Sequence, residues 1–363
     1  MSTSIAQFGN FGAPQILLNG INAMGQEQTT LSWQTSTGVL GETYADLGTG
    51  CIPALSVPPK ITQVSNWQSN IKMAQTTLDA TSEGLKSLVS LAQKFNAKIL
   101  DMLNTVSPDT VSATSQEAKE ALSTIANILN TSEGSGFVFA GQNATQMPIP
   151  DPSSIATGPL AQAIQKAVDN LAQNGASSVM QTATTDSESN AQGMSIFSSD
   201  LSVSPQQASA LQNQLVSGSD IFTGVGIVAT QAPVSDTQAS SPSTGSPIRD
   251  LIRDMMIIAT MPDSMSSETK NFPELIKTLH TSMTNTITQI INMQTSVGVN
   301  QSALTTRSNL LSNIKLSLQS QLSNAEDANM AQTAVELSSL NTRLQASYML
   351  IAQMKGMTLA NYI

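Results

Sequence analysis

Residues able to do chemistry are few in this chain. Its 363 residues include one histidine, His280, and one cysteine, Cys51. A tetrahedral zinc site takes several imidazoles or thiolates, so no His/Cys site can be built within one chain. A Ser-His-Asp or Cys-His mechanism would have to run through His280. That residue shares the spacing of Leu275, Leu279 and Met283 and reads as flanking a helix seam. Cys51, in Gly50-Cys51-Ile52-Pro53, reads as a small buried apolar residue. Glu326-Asp327 offer two carboxylates, but adjacent residues on a helix do not face each other, so a solvated face is expected. Gly224-Val225-Gly226 lacks the third glycine and the strand–helix frame of a dinucleotide loop and reads as a turn. Asn143-Ala144-Thr145 fits the short glycosylation pattern. The chain is therefore read as no enzyme, with no catalytic, cofactor-binding or metal-binding residue assigned and no cofactor expected.

Composition narrows the partners further. Only 11% of residues are charged and 4% aromatic, while Ser and Thr make up about a quarter. The formal charge is −10, and the 15 basic residues are scattered. Phosphate neutralisation needs clustered Lys and Arg, so nucleic acid is not an expected partner. The N-terminus shows no basic segment followed by an apolar one, and the strongest apolar run, Met255 to Ala259, is too short to span a bilayer. Neither a Sec signal nor membrane insertion is expected. One cysteine forms no internal disulfide, so packing must hold the fold.

The elements that carry this packing are marked by proline and by apolar period. No proline occurs between Lys60 and Ser107 or after Pro273, whereas Pro148, Pro150, Pro152, Pro159, Pro205, Pro233, Pro242 and Pro247 recur between those stretches. Proline removes a helix donor, so the Pro-free stretches are the expected long helices. In the first, Trp67, Ile71, Ala74, Leu78, Thr81, Leu85, Leu88, Ala92, Phe95, Ile99 and Met102 alternate by four and three, the signature of a coiled-coil-like seam. Gly84 falls beside this seam and is expected to weaken it. A second helix is expected over Pro108 to Asn130. The C-terminal stretch opens at Pro273-Glu274 and keeps a heptad through Leu304, Leu311, Ile314, Leu318 and Ala325. It resumes through Leu337, Leu340, Leu344, Ser347, Ile351 and Met354, with a phase slip near Asn329-Met330 that reads as a stutter or a change of partner. Asn300, Arg307 and Gln321 intrude on the seam, which points to packing in a larger assembly.

The expected fold is mainly α: a long antiparallel helical or coiled-coil rod from paired N- and C-terminal arms, with a small central α+β or irregular inserted domain. Residues 1–50 form an assembly segment that pairs with 325–363. Residues 51–142 and 247–324 supply the two parts of the rod, and 143–246 the central variable domain. Within that domain, seven acidic residues face one Lys. Pro159 to Gln173 reads as an amphipathic helix, Ser195 to Phe197 and Ile221 to Thr230 as strands, and Gln231 to Ser246 as a linker. The first 60 residues hold four charged groups and are expected to order on assembly. Trp67, Ile71, Leu78, Leu85, Leu88, Phe95, Ile99, Leu304, Leu311, Leu318, Leu337, Leu340, Leu344 and Ile351 are the candidate assembly seam. Leu304, Leu311, Leu337, Leu344 and Ile351 are expected to be buried.

The segment Leu318 to Ala331 resembles the C-terminal helix of bacterial flagellins and their junction proteins. Leu344 to Met354 followed by Met357-Thr358-Leu359-Ala360-Asn361-Tyr362-Ile363 is most similar to the hook–filament junction proteins (hook-associated protein 3) of the bacterial flagellin family. Thr43 to Gly48 resembles an N-terminal loop of some junction proteins, and Gly136-Phe137-Val138-Phe139-Ala140-Gly141 a short strand after their second helix. The likeness covers roughly 1–142 and 246–363. The Ser-Ser-Gly-x-Arg-Ile type of loop familiar in filament flagellins is missing, which counts against that branch more than against the junction proteins. What the resemblance implies is a self-assembling, extracellular structural part of the flagellum, exported by the type III route without a cleaved signal peptide. The partners it implies are further copies in a ring, the hook-side junction protein, flagellin, an export chaperone and the type III export apparatus. Filament flagellin is the alternative, and a secreted coiled-coil translocator or adhesin a third reading.

Overall fold

The computed structural model describes residues 9–104, 106–218, 221–234 and 242–356. The Met357 to Ile363 ending and residues 235–241 of the expected linker lie outside them, as does the side chain of Met354. The chain is mainly α and divides into two compact units: residues 1–65 with 312–363, and residues 66–311.

In the first, terminal unit, helix α1 (Gly9–Thr37) packs against helix α10 (Met330–Gly356). Ile21, Leu31, Leu340 and Leu344 are buried together, with Leu17, Met24, Leu337 and Ile351 half-buried around them. Beside this cluster the Gln28 amide donates to Asn341 Oδ1 at 2.6 Å. After α1, Gly38 takes a positive φ of 76°, open to glycine without a Cβ clash. The chain then pairs with the end of helix α9 (Phe272–Glu326): Leu40 N donates to Glu326 O at 2.6 Å and Ala328 N to Gly38 O at 2.8 Å. A 3₁₀ turn over Tyr44–Gly50 leads into helix α2 (Cys51–Asp101), and a Cβ on Gly50 would stand 2.6 Å from Ala325 O. Only glycine fits that approach.

Helix α2 starts earlier than proline placement suggested. Pro58 and Pro59 lie inside it. Each removes one intrahelical donor, freeing the carbonyls of Ala54 and Leu55, of which Leu55 is exposed and Ala54 buried. Cys51, the first residue of α2, is half-buried rather than buried. The phase slip near Asn329 is a true helix break. Asn329 starts α10 afresh, its Oδ1 accepting from Gln332 N at 3.2 Å as an N-cap does.

The second, central unit contains the large core. From Ile71 onward the heptad positions of α2 are all buried; Thr81 satisfies its hydroxyl on Thr77 O at 2.7 Å. Helix α3 (Pro108–Leu129) begins at the expected residue, with Ser107 as N-cap accepting from Thr110 N. Strands β1 (Ser132–Glu133) and β2 (Gly136–Phe137) make a minimal antiparallel hairpin. Residues 143–246 hold α4 (Pro159–Asp169), α5 (Leu171–Asn174), α6 (Ala176–Glu188), α7 (Pro205–Ala210) and the antiparallel pair β3 (Asn213–Gly218) and β4 (Ile221–Val225). Of the two expected strands, Ile221 onward forms β4, while Ser195 to Phe197 is irregular. These residues cluster with the helical core as one unit.

At the centre lies α8 (Pro247–Ala259), every residue of which is buried, packed by α3, α4 and α6. An all-buried helix with four charged residues needs internal partners. Arg253 pairs with Asp254 at 2.8 Å and Asp250 at 3.0 Å, and both Arg253 and Asp254 bond Ser282 of α9. Asp250 also accepts from Thr244 N at 2.8 Å, pinning the loop that precedes α8. Full burial pushes the Asp254 carboxyl up to about 6, against the pull of Arg253 and Ser282.

Gly84 corrects the expectation that it weakens the seam. It is buried, and a Cβ there would come within 2.8 Å of the fully buried Phe139 ring. The glycine makes room for that ring against α2. Gly84→Val is expected to destabilise the central unit by about 1–3 kcal/mol through overpacking. Urea denaturation checks this, and an unchanged midpoint would show that the ring can move aside at no cost.

Candidate assembly surface

The seam residues divide by unit. In the central unit Ile71, Leu78, Leu85, Leu88, Phe95, Ile99, Leu304 and Leu311 are buried and Trp67 is half-buried. In the terminal unit Leu340 and Leu344 are buried, whereas Leu318, Leu337 and Ile351 are half-buried. Leu337 and Ile351 thus fall short of the burial expected of them. The reason is geometric: α10 meets one helix, α1, across one face, and a helix pair covers the edges of an apolar stripe poorly.

Asn300 and Arg307, the polar intrusions on the α9 seam, find their partners within the chain. Asn300 Nδ2 donates to Gly224 O at 3.2 Å and Arg307 Nε to Ser217 O at 3.1 Å, so both hold the β3–β4 hairpin on α9. They do not require a larger assembly. Gln321 is exposed.

What sequence spacing missed is a second set of apolar residues. Thirteen of the twenty-three large hydrophobics exposed among the described residues lie in the terminal unit, which holds less than a third of the chain. Ile52 is 76% exposed, Ile16 73%, Val335 70%, Met349 66% and Leu316 64%. Val335 and Met349 stand two heptads apart on α10, outside the Leu337–Leu340–Leu344 phase. That double stripe was the available signal. The helix pair combines a four-residue buried cluster with exposed apolar side chains on its outer faces, which makes it a candidate surface for contact with more protein. Charge does not oppose this, because α1 carries one acid, Glu27, and no base. A groove of about 400 Å³ beside the pair, lined by Glu27, Leu31, Gln34, Leu40, Gln332 and Glu336, mixes polar and apolar surface.

The isolated chemical residues remain apart. His280 is half-buried on α9 and Cys51 half-buried at the head of α2. Asn143 is engaged by Thr145, whose hydroxyl donates to its Oδ1 at 2.8 Å, and by Asp200. Among the described residues no group of three His, Cys, Asp or Glu could hold a metal ion, and no helix is long and apolar enough to cross a membrane.

Comparison with known proteins bears on the arm that carries this surface. Residues 281–363 match the bacterial flagellin C-terminal helical region. That match spans the C-terminal part of α9 and all of α10. The fold is similar to that of a Vibrio parahaemolyticus protein assigned as a flagellar hook-associated protein, with a TM-score of 0.51 and 12% identity. The alignment covers 76% of this chain and 97% of that one. No curated protein matches the sequence. The C-terminal helices are thus similar to those of flagellins, and the mainly α fold is similar to that of the Vibrio protein.

Proposed function

We propose that this chain is a non-enzymatic structural subunit of the bacterial flagellum, seated at the junction between hook and filament. The observation that carries the reading is the coincidence of two features on one arm. Residues 281–363 match the flagellin C-terminal helical region, and α10 within them packs with α1 to present exposed apolar faces. In this reading neighbouring copies cover Ile16, Ile52, Leu316, Val335 and Met349. Full burial of one such side chain contributes about 1.5–3 kcal/mol, so a handful per subunit suffices for stable association. The protein would leave the cell through the flagellar export apparatus with its chaperone and meet the hook-side junction protein on one side and flagellin on the other.

A filament flagellin is the second reading, favoured by the family match itself, which is to flagellin rather than to a junction protein. The likeness in fold to a hook-associated protein and the Leu344 to Ile363 ending support the junction. Mixing the purified chain with short flagellin seeds separates them. A junction subunit is expected to bind seed ends in limited number and to stop there. Long homopolymers grown from the seeds would establish the flagellin reading in its place.

A further inference from the structure

We propose that the central unit contains a buried site for one small monovalent anion of the halide class, chloride in the first instance, held by Arg249 and Ser187. Arg249, in the first turn of α8, is 3% exposed. Its NH1 and NH2 groups donate to the carbonyls of Ser187, Glu188, Leu201 and Val203 and to Asn190 Oδ1, at 2.8–3.4 Å. All five acceptors are neutral. Among the described residues no carboxylate bonds this guanidinium, in contrast to Arg253 one turn on, which has two. A buried cation without a counter-charge is costly. Burial accordingly lowers the Arg249 pKa to about 10, with Glu188 acting in the opposite sense.

Two polar atoms in this region are buried with no partner among the described residues: Arg249 Nε and Ser187 Oγ. Both residues line the same small cavity, of about 10 Å³, together with Ser195, Phe197, Leu160 and Ile252. The rest of the lining is apolar apart from Ser195, whose hydroxyl already engages Ser202 and Phe197 N. Nε–H can only donate, and Ser187 can donate. A water there would find acceptors for at most one of its own hydrogens, whereas an anion needs donors alone. The size admits a single atom and excludes phosphate or sulfate. The ring of Phe197, 5.4 Å from the Arg249 guanidinium carbon, closes one side against bulk water. Leu160, Ser195, Ile196 and Phe197 also line a wider groove of about 190 Å³, which gives an ion a way in.

The test is ³⁵Cl NMR line broadening on the full-length protein in sodium chloride, with sodium bromide as competitor. The native chain is expected to broaden the chloride line beyond a bovine albumin-free buffer control, and bromide to reverse the effect. Ser187→Ala removes one neutral hydrogen bond from a half-buried position and should weaken binding about three- to tenfold. Arg249→Lys, which loses Nε–H and the guanidinium fork, should abolish it. Should Arg249→Lys not fold, Ser187→Ala decides alone. Absence of broadening by the native chain would mean that water alone occupies the cavity, and equal broadening by Ser187→Ala would place the ion elsewhere; either result overturns the proposal.

Discussion

Replacing Arg253 by alanine is expected to destabilise the central unit by about 3–5 kcal/mol. Asp254 is fully buried and Asp250 nearly so; without Arg253 both lose their counter-charge in an environment that water does not reach. The Ser282 hydroxyl, donating at 2.7 Å, is too little to hold Asp254 ionised by itself. For a unit of this size the loss corresponds to a fall in Tm of about 6–20 °C. The surface pair Lys86–Glu83, at 3.5 Å with both side chains about two thirds exposed or more, is the control. Lys86→Ala should change stability by less than about 1 kcal/mol.

The same variant should acquire a distinctive pH dependence. Asp254 titrates at about 6 when folded, above its ordinary 3.8, so the folded state binds its proton more tightly. The stability this group contributes is full below about pH 4 and is lost as pH rises through about 6. Removing Arg253 takes away the charge that holds the value down, and the window extends upward. Arg253→Ala should therefore regain part of its lost stability on acidification from about pH 8 to about pH 5. Calorimetry across that range checks it; a variant whose deficit is constant with pH would mean that Asp254 is not the group left unpaired.

The second large effect concerns the terminal unit. Leu340→Asp with Leu344→Asp places two charges in the cluster that joins α1 to α10, half of whose buried members are those two leucines. Losing a buried leucine alone costs about 2–5 kcal/mol, and an unpaired carboxylate adds to that. A four-residue cluster has no reserve against both. The pair of helices should separate, and attachment to flagellin seeds should be abolished. The central unit draws its core from residues 66–311 and should melt as before. Seed binding measured by sedimentation, beside a calorimetric trace, reads both arms of the prediction. Attachment at native levels would show that the α1–α10 pair does not carry assembly.

Much of this architecture was legible in the sequence, for a physical reason. Where a helix is buried along one face, the 3.6-residue period is written in the apolar positions, and α2, α3 and α9 were readable from Ile71, Val111 and Leu304 and their repeats. The phase slip at Asn329 was readable because a change of helix axis resets that period. Prolines misled. Pro205 and Pro247 were grouped with a proline-rich middle, yet each opens a helix at a position that needs no donor, as Pro159 does in the helix expected from it. Helix α8 keeps a helical period through Ile248, Leu251, Ile252, Met255 and Met256, but that period predicts a solvated polar face and gives no sign that the charged side is buried as well. Its remaining signal was the Arg249-Asp250 pair repeated as Arg253-Asp254 one turn later within an apolar run.

Polar seam residues carried a different lesson. Asn300 and Arg307 break the heptad for a reason that lies far away in sequence, the β3–β4 hairpin they anchor, and spacing along one helix carries no trace of it. Gly84 likewise depends on Phe139, fifty-five positions on. The outer apolar faces of α1 and α10 could be read as a second stripe only once the inner stripe had been assigned to the α1–α10 contact.

The central claim, that the chain is a flagellar subunit of the hook–filament junction, is tested most directly by where the protein resides. Intact flagella are isolated with their hooks and labelled with gold-conjugated antibody against the central unit, residues 66–311. The account predicts one narrow band of label where hook meets filament. Label along the whole filament, or flagella that carry none, would contradict it.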